Sequence, residues 1–280
     1  MLLVVCHTLA VAQPQDLTPL LPPAESPIRQ ALLAGNLPRA AQLAAAEPPA
    51  ARDLWQGIFA IIRNDAPAAI RTLRPLHEPK ALGVAYYLLR QHLLFRDQMA
   101  EAIRRNPNDF GPYYYLGRHY DTDVNDPAEA VRWFRLALAR SPANPRLHAF
   151  LGNCLERSGN ADEAATHYAK APAQLLSQLG LARLRLAGND PASALPHAEK
   201  ALAIEVANPQ AAKLAARIYA DLNRPADAIK TLEAAAPRAP ADAAIRYQLF
   251  RLYQSAGDTK KAAAARSEFQ RLQKIYGIQP

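Results

Sequence analysis

The sequence contains little glycine and few aromatic residues. Only 11 of its 280 residues are glycine and 7% are aromatic, although half of the residues are hydrophobic. Most of the apolar residues are alanine and leucine, which favour helices and lack the β-branching that favours strands. The prolines fall mostly beside predicted turns and outside the periodic segments. This composition predicts an all-α protein.

The sequence also lacks the motifs of common catalytic sites. It has no G-x-x-x-x-G-K-[ST], no G-x-G-x-x-G, no G-x-S-x-G and no H-E-x-x-H, and so shows no usual sign of nucleotide binding, nucleophilic catalysis or zinc-dependent hydrolysis. His119 with Asp121 and Asp123 suggests a metal site, but a spacing of two residues points side chains to different faces of a helix. We therefore expect no enzyme activity, no metal and no cofactor.

Cysteine is limited to Cys6 and Cys154. Residues 1–12 read MLLVVCHTLAVA and end in the small-x-small pattern of a signal-peptide cleavage site, although no basic residue precedes the apolar run. We interpret them as the signal peptide of an exported protein, periplasmic or secreted; a cytoplasmic protein is the alternative. Cleavage after Ala12 would leave Cys154 alone and exclude an intrachain disulfide. The proline-rich residues 13–27 are predicted to form an extended, mobile spacer.

Negative charge is in the minority. The formal net charge is +8 and the pI is about 9.6, which fits an anionic partner but does not choose among an acidic polypeptide, nucleic acid and an anionic membrane surface.

One turn motif returns along the chain. Its copies read NDPAEA (125–130), GNADEA (159–164), NDPASA (189–194), NRPADA (223–228) and GDTKKA (257–262). The alanines that close these copies are 34, 30, 34 and 34 residues apart. A helical pattern lies on each side of every turn, so that each period predicts an antiparallel helix pair.

The residue types in the motif fit a turn between two helices. Asp126 is predicted to cap the following helix, and Pro127 to occupy its first position, where no N–H is needed. Glu129 would complete a capping box with Asp126, as would Glu163 with Asn160. Gly159 and Gly257 are expected to adopt the positive φ that ends the preceding helix.

The period carries further shared residues. The best repeat contains Tyr113, Leu116, Gly117, Tyr120, Ala130, Phe134, Ala137 and Pro142, with one extra residue before Ala130. This pattern resembles the tetratricopeptide repeat family, and in particular its bacterial, exported members. The resemblance implies a right-handed superhelical solenoid of about eight helix pairs. Its repeats are degenerate over residues 28–108, where 81–107 lacks a clear turn. Over residues 109–276 they form a regular array that ends in a capping helix.

In this family the first helices of successive pairs line a concave groove in which peptides bind. The resemblance places at repeat position 9 of those helices Arg118, Asn153, Arg183, Arg217 and Arg251. The other predicted peptide-binding residues are Tyr114, Tyr115, Arg146, Phe150, Lys213 and Tyr247, with Gln248 beside them. Guanidinium groups bind carboxylates through two parallel hydrogen bonds and stack on aromatic rings. The alternative is that these arginines pair with neighbouring acids such as Asp121, Glu156 and Asp221.

Together these observations predict a non-catalytic scaffold whose groove binds an acidic or C-terminal segment of a partner protein, in envelope assembly or secretion. Two alternatives stay open. A basic groove with interleaved aromatic residues could instead bind nucleic acid. The chain could also be an accessory module of a separate enzyme.

Overall fold

The computed structural model describes residues 17–22 and 26–276. Within these residues the chain forms sixteen α-helices, two short helical turns and no strand. The predicted signal peptide, residues 1–12, lies outside the described residues, as do residues 13–16 and 23–25 of the predicted spacer. The expected all-α helical repeat fold is confirmed.

The sixteen helices follow one another as eight pairs, which confirms the expected number. The pairs are α1 (Pro27–Leu33) with α2 (Leu37–Ala45), α3 (Pro49–Ile62) with α4 (Ala66–Leu73), α5 (Pro79–Leu88) with α6 (His92–Arg105), α7 (Phe110–His119) with α8 (Pro127–Arg140), α9 (Pro145–Arg157) with α10 (Ala161–Ala169), α11 (Leu175–Ala187) with α12 (Pro191–Ile204), α13 (Pro209–Asp221) with α14 (Pro225–Ala235), and α15 (Ala243–Ser255) with α16 (Thr259–Tyr276).

The chain divides into two compact units between Leu147 and His148, inside α9. In the first unit α3 contacts α5 and α5 contacts α7, and in the second unit α11 contacts α13 and α13 contacts α15. Each unit therefore has a face made of the first helices of its pairs. The boundary predicted at 108/109 rests on how well the repeats match the family pattern, and it stays a prediction.

The turn inside each pair contains one residue with positive φ. The eight residues, with φ between 57° and 83°, are Gly35, Asn64, Arg90, Asn125, Gly159, Asn189, Asn223 and Gly257. The expectation for Gly159 and Gly257 is confirmed. Arg90 forms the turn that the sequence of residues 81–107 did not reveal, because arginine has no preference for this conformation.

The predicted helix cap at Asp126 is confirmed, but the capping boxes are wrong. Asp126 Oδ1 accepts from the N–H of Glu129 at 3.0 Å, and Pro127 is the first residue of α8. The Asp126 N–H, however, donates to the carbonyl of Tyr120 at 2.8 Å, and the Glu129 carboxylate accepts from Arg132. The positive φ of the preceding residue turns the cap N–H towards the previous helix, so that no donor is left for Glu129.

The second predicted capping box fails for the same reason. Asn160 makes no side-chain hydrogen bond to α10, and its own N–H donates to the carbonyl of Leu155 at 2.9 Å.

The extra residue before Ala130 is stored in a π-helical turn, Tyr120–Val124. In the other seven turns the cap N–H donates to the carbonyl five residues earlier, as from Asn160 to Leu155, whereas Asp126 donates to the carbonyl six residues earlier. A single inserted residue is commonly accommodated in this way. The insertion therefore leaves α8 in its normal place in the repeat.

Small residues let the paired helices approach closely. A Cβ on Gly117 would lie 2.7 Å from the ring of Phe134, and one on Gly152 would lie 2.7 Å from the ring of Tyr168. Gly180 of α11 contacts the other side of the Tyr168 ring. Tyr168 is fully buried, so its ring joins the α9–α10 pair to the next pair.

Residues 17–22, which we call the N-terminal strap, are packed rather than extended and mobile. Leu17, Leu20 and Leu21 belong to the core of the first unit. The Lys80 Nζ of α5 donates to the carbonyl of Leu21 at 3.0 Å, and the backbone of Gly111, in α7, lies against the carbonyl of Pro19. The spacer prediction is wrong here because three buried leucines contribute more free energy than ordering so short a segment costs.

Candidate peptide-binding site

The most exposed of the predicted binding residues lie on α13 and α15 of the second unit. The Arg217 side chain is 67% exposed and Tyr247 is 41% exposed, and Arg251 is exposed as well. Because α11, α13 and α15 are neighbours, they form one surface, which we call the first-helix face. Both arginines sit on it, 34 residues apart in the sequence.

Both arginines have weak partners within the chain. Arg217 Nε lies 3.9 Å from the Asp221 carboxylate one turn later, and both side chains are largely exposed. Arg251 Nη1 donates to the Tyr247 hydroxyl at 3.2 Å. Exposed ion pairs of this length contribute little free energy. An incoming carboxylate would therefore have only these weak partners as competitors for the two arginines.

A surface pocket opens beside Arg251. It is lined by Ala220 of α13 and by Arg251, Leu252, Gln254 and Ser255. Nearby on α15, the side-chain oxygen Oε1 of Gln248 is buried and accepts no hydrogen bond from any described residue. The face thus combines two cations, a half-exposed aromatic ring and an unused acceptor.

Arg183 is already paired. Its Nε and Nη2 donate to the two carboxylate oxygens of Glu156, each at 2.7 Å, and the Tyr168 hydroxyl donates to the same carboxylate at 2.6 Å. The hydrogen bond to Glu156 raises the pKa of Arg183. The sequence left pairing with Glu156 open as the alternative to ligand binding. For Arg183 the structure contains that pair.

Lys213 also has an internal partner. Its Nζ donates to Asp242 Oδ2 at 2.7 Å, while Asp242 Oδ1 caps the first turn of α15. Lys80 makes the same contact with Asp109, the cap of α7, also 29 residues ahead. This lysine–aspartate pair recurs in both units and fixes the start of the next first helix. The repeat spacing contained this signal, but sequence reasoning did not use it.

The first unit holds four of the predicted residues. Tyr114 is buried, Tyr115 and Arg118 are half-buried, and Arg118 Nη1 lies 3.4 Å from the Tyr114 hydroxyl. Arg146, at the start of α9, is also half-buried, and burial lowers its pKa to about 10. It is therefore still a cation at neutral pH.

The remaining two predicted residues, Phe150 and Asn153, are half-buried on α9. They belong to the second unit. Peptide binding by any of the eleven residues stays a prediction. Arg217, Tyr247 and Arg251 are more exposed than the other eight.

Comparison with known proteins identifies the repeat. Two models described as tetratricopeptide repeat match the chain, one over residues 122–185 and again over 185–246, the other over residues 96–145. Together the matches run from residue 96 to residue 246, which is more than half of the 280 residues. No helix among the described residues combines the length and apolar character needed to cross a bilayer.

Similar individual proteins cover the chain in part or carry the same fold. Cellulose synthase operon protein C of Pseudomonas fluorescens (strain SBW25) is 34% identical over 129 residues, which are 44% of this chain. The match spans only 10% of that relative's length. PilF of Pseudomonas aeruginosa superimposes with a TM-score of 0.62 at 21% identity, over 72% of this chain and 91% of that one.

PilW, a widely conserved type IV pilus biogenesis factor, superimposes with a TM-score of 0.55 at 16% identity, over 84% of this chain and 96% of that one. At such identities the two structures show the shared fold alone.

Proposed function

The chain belongs to the tetratricopeptide repeat family, and from this premise we propose that it is a non-catalytic scaffold. Its first-helix face would bind an acidic or C-terminal segment of a partner protein. The observation that carries the proposal is the pair Arg217 and Arg251, exposed on neighbouring first helices and held only weakly by groups of the same chain. Two such guanidinium groups match two carboxylates on an unfolded segment.

The helix spacing indicates how those carboxylates are arranged. Axes of packed helices lie about 8–10 Å apart. A peptide in the polyproline II conformation advances about 3.1 Å per residue with three residues per turn, so that side chains three residues apart lie on the same side. Carboxylates about three residues apart would therefore reach both arginines. We propose an acidic-x-x-acidic segment as the preferred ligand, or one acidic residue followed by a C-terminal carboxylate at the same distance.

Two further groups would fix the orientation of this segment. Tyr247 offers a half-exposed ring beside Arg251, and Gln248 offers an acceptor for a peptide N–H. Arg183 and Lys213 would support the face instead of binding the ligand directly, because their carboxylate partners hold them. The proposed ligand site is thus smaller than the predicted row of arginines.

The test compares two charge-reversal variants with the same change in net charge. Arg217→Glu with Arg251→Glu alters the first-helix face, whereas Lys200→Glu with Lys230→Glu alters exposed positions on the second helices α12 and α14. A fluorescent acidic-x-x-acidic peptide should bind the wild type and the lysine variant alike, and bind the arginine variant about tenfold or more weakly, as expected for loss of two charge-assisted contacts. Equal binding to all three proteins would contradict the proposal.

Two further measurements on the same proteins separate the two alternative functions. A single-stranded oligonucleotide that binds more tightly than the peptide, with a steep loss of affinity in salt, would favour a nucleic-acid groove. An enzyme subunit captured from native host extract by the wild type, but not by the arginine variant, would favour an accessory module.

We also propose that the scaffold works in the cell envelope. This rests on the apolar residues 1–12 with their Ala-Val-Ala ending, and on the partial likeness to a cellulose synthase operon protein. This protein, when isolated from its native host, should begin at or near Gln13, as N-terminal sequencing would show. An intact Met1 would count against export.

A further inference from the structure

A cluster of two histidines and one aspartate lies in the first unit, whereas the proposed peptide site belongs to the second. One ring nitrogen each of His92 and His119 and one carboxylate oxygen of Asp123 lie within 4.8 Å of one another. His92 is the first residue of α6, His119 is the last residue of α7, and Asp123 belongs to the π-helical turn. The π-helical turn that accommodates the inserted residue thus contributes one member of the cluster.

The expectation of no metal applied a spacing of two residues to His119, Asp121 and Asp123 together. His119 and Asp123 are four residues apart, however, and therefore share a face. His119 Nδ1 lies 3.3 Å from Asp123 Oδ2. His92 comes from the preceding helix pair, where no local spacing could reveal it.

Neighbouring rings hold the two imidazoles in place. The rings of His92 and His119 stack at 5.0 Å, and the Tyr87 ring packs edge-on against both. Phe95 packs edge-on against His119 from α6. The His92 Nδ1 is buried and has no hydrogen-bond partner among the described residues. A buried nitrogen without a partner is costly, and a cation bound to His92 Nδ1 would remove that cost.

The ligand atoms suit a divalent transition metal. Zinc binds imidazole nitrogen and carboxylate oxygen at about 2.0–2.2 Å, which places neighbouring ligands about 3.4 Å apart in a tetrahedron. Separations of up to 4.8 Å therefore need side-chain rotations that shorten them by about 1 Å or more. Such a site would have three protein ligands and one open position, the arrangement found with zinc and other borderline metals.

The remaining oxygen of Asp123 has a partner that would orient it. Arg90 Nη1 lies 2.7 Å from Asp123 Oδ1, whereas His119 lies beside the other oxygen, Oδ2. The Arg90 side chain is 61% exposed. It can therefore keep its contact with Asp123 Oδ1 while Oδ2 turns towards a metal. Hydrogen-bonded carboxylate ligands of this kind are usual in metal sites.

We propose that His92, His119 and Asp123 bind a divalent transition-metal ion, with two imidazole nitrogens and Asp123 Oδ2 as ligands. The ion would tie α6 to the π-helical turn after α7, across two helix pairs. Metal binding would thereby stabilise the first unit, since a ligand that binds only the folded state shifts unfolding in its favour.

The test uses the full-length protein without a histidine tag, stripped with EDTA, with Zn²⁺ for calorimetry and Co²⁺ for visible absorption. His92→Gln and Asp123→Asn each remove one ligand without deleting a buried core residue. His77→Asn is the matched control, because His77 is an exposed histidine of the same unit with positive φ, which asparagine tolerates. Circular dichroism confirms that each variant is folded.

The wild type and His77→Asn should bind Zn²⁺ alike, give a tetrahedral Co²⁺ spectrum and melt at higher temperature with Zn²⁺. His92→Gln and Asp123→Asn should bind about tenfold or more weakly and lose the Zn²⁺-dependent rise in Tm. No binding by the wild type would overturn the proposal, as would equal binding by a folded His92→Gln variant.

Discussion

Glu156 shows how a single residue limits what the sequence can say about a binding site. Its carboxylate accepts hydrogen bonds from Arg183 and from the Tyr168 hydroxyl. Burial raises the pKa of Tyr168, and the hydrogen bond to the Glu156 carboxylate raises it further. The sequence placed Arg183 on the groove and identified Glu156 as an available acid. It could not decide whether the arginine binds a ligand or the acid, since the two residues are 27 positions apart in different helix pairs.

Replacing Glu156 by alanine should destabilise the second unit by about 2 kcal/mol. Breaking a fully buried ion pair costs about 3–5 kcal/mol, and the expected effect is smaller because Arg183 is 38% exposed. The midpoint of urea unfolding measures the change. Glu129→Ala, which removes an exposed pair with Arg132, is the control and should have little effect. A loss no larger than that of the control would mean that the Glu156 contact contributes nothing to stability.

At the scale of elements, the sequence predicted the helix pairs and most of their turns. Glycine or asparagine marks seven of the eight positive-φ positions, and Arg90 is the exception. The extra residue before Ala130 was visible, but the π-helical turn that holds it was not, since many local distortions absorb one residue. The N-terminal strap was missed because proline content predicts an extended chain, whereas its packing depends on a surface made by α5 and α7.

The packing of the strap can be tested with one leucine. Leu21 is almost completely buried in the first unit, whereas Leu93 at the start of α6 is 73% exposed. Leu21→Ala should lower the free energy of unfolding by about 2–4 kcal/mol, the usual cost of removing a buried leucine side chain. Leu93→Ala should change it little. Chemical denaturation of both variants gives the comparison, and a mobile spacer would instead make the two variants indistinguishable.

At the scale of the whole molecule, the repeated sequence pattern made the fold predictable. It made the candidate peptide-binding site predictable only in part. Each period specifies its own helix pair, and stacking of neighbours follows from the shared small residues. Exposure of a groove residue depends instead on the acids that neighbouring repeats contribute. Arg217 and Arg251 differ from Arg183 in the strength of their internal partners, although the family pattern predicts the same repeat position for all three. Local periodicity does not contain that difference.

The second unit should fold and bind alone. It has its own buried core, from Ala182 to Ala265, and repeat proteins are stabilised mainly by contacts between successive pairs. A fragment of residues 145–280, which begins with α9, should give a helical circular dichroism spectrum, unfold cooperatively and bind the acidic-x-x-acidic peptide as tightly as the full chain. A fragment of residues 175–280 loses Tyr168 and its contact with Gly180, and should unfold at lower denaturant concentration. If residues 145–280 show no cooperative unfolding, the second unit depends on the first for its stability. If they fold but do not bind, the peptide site must include residues of the first unit.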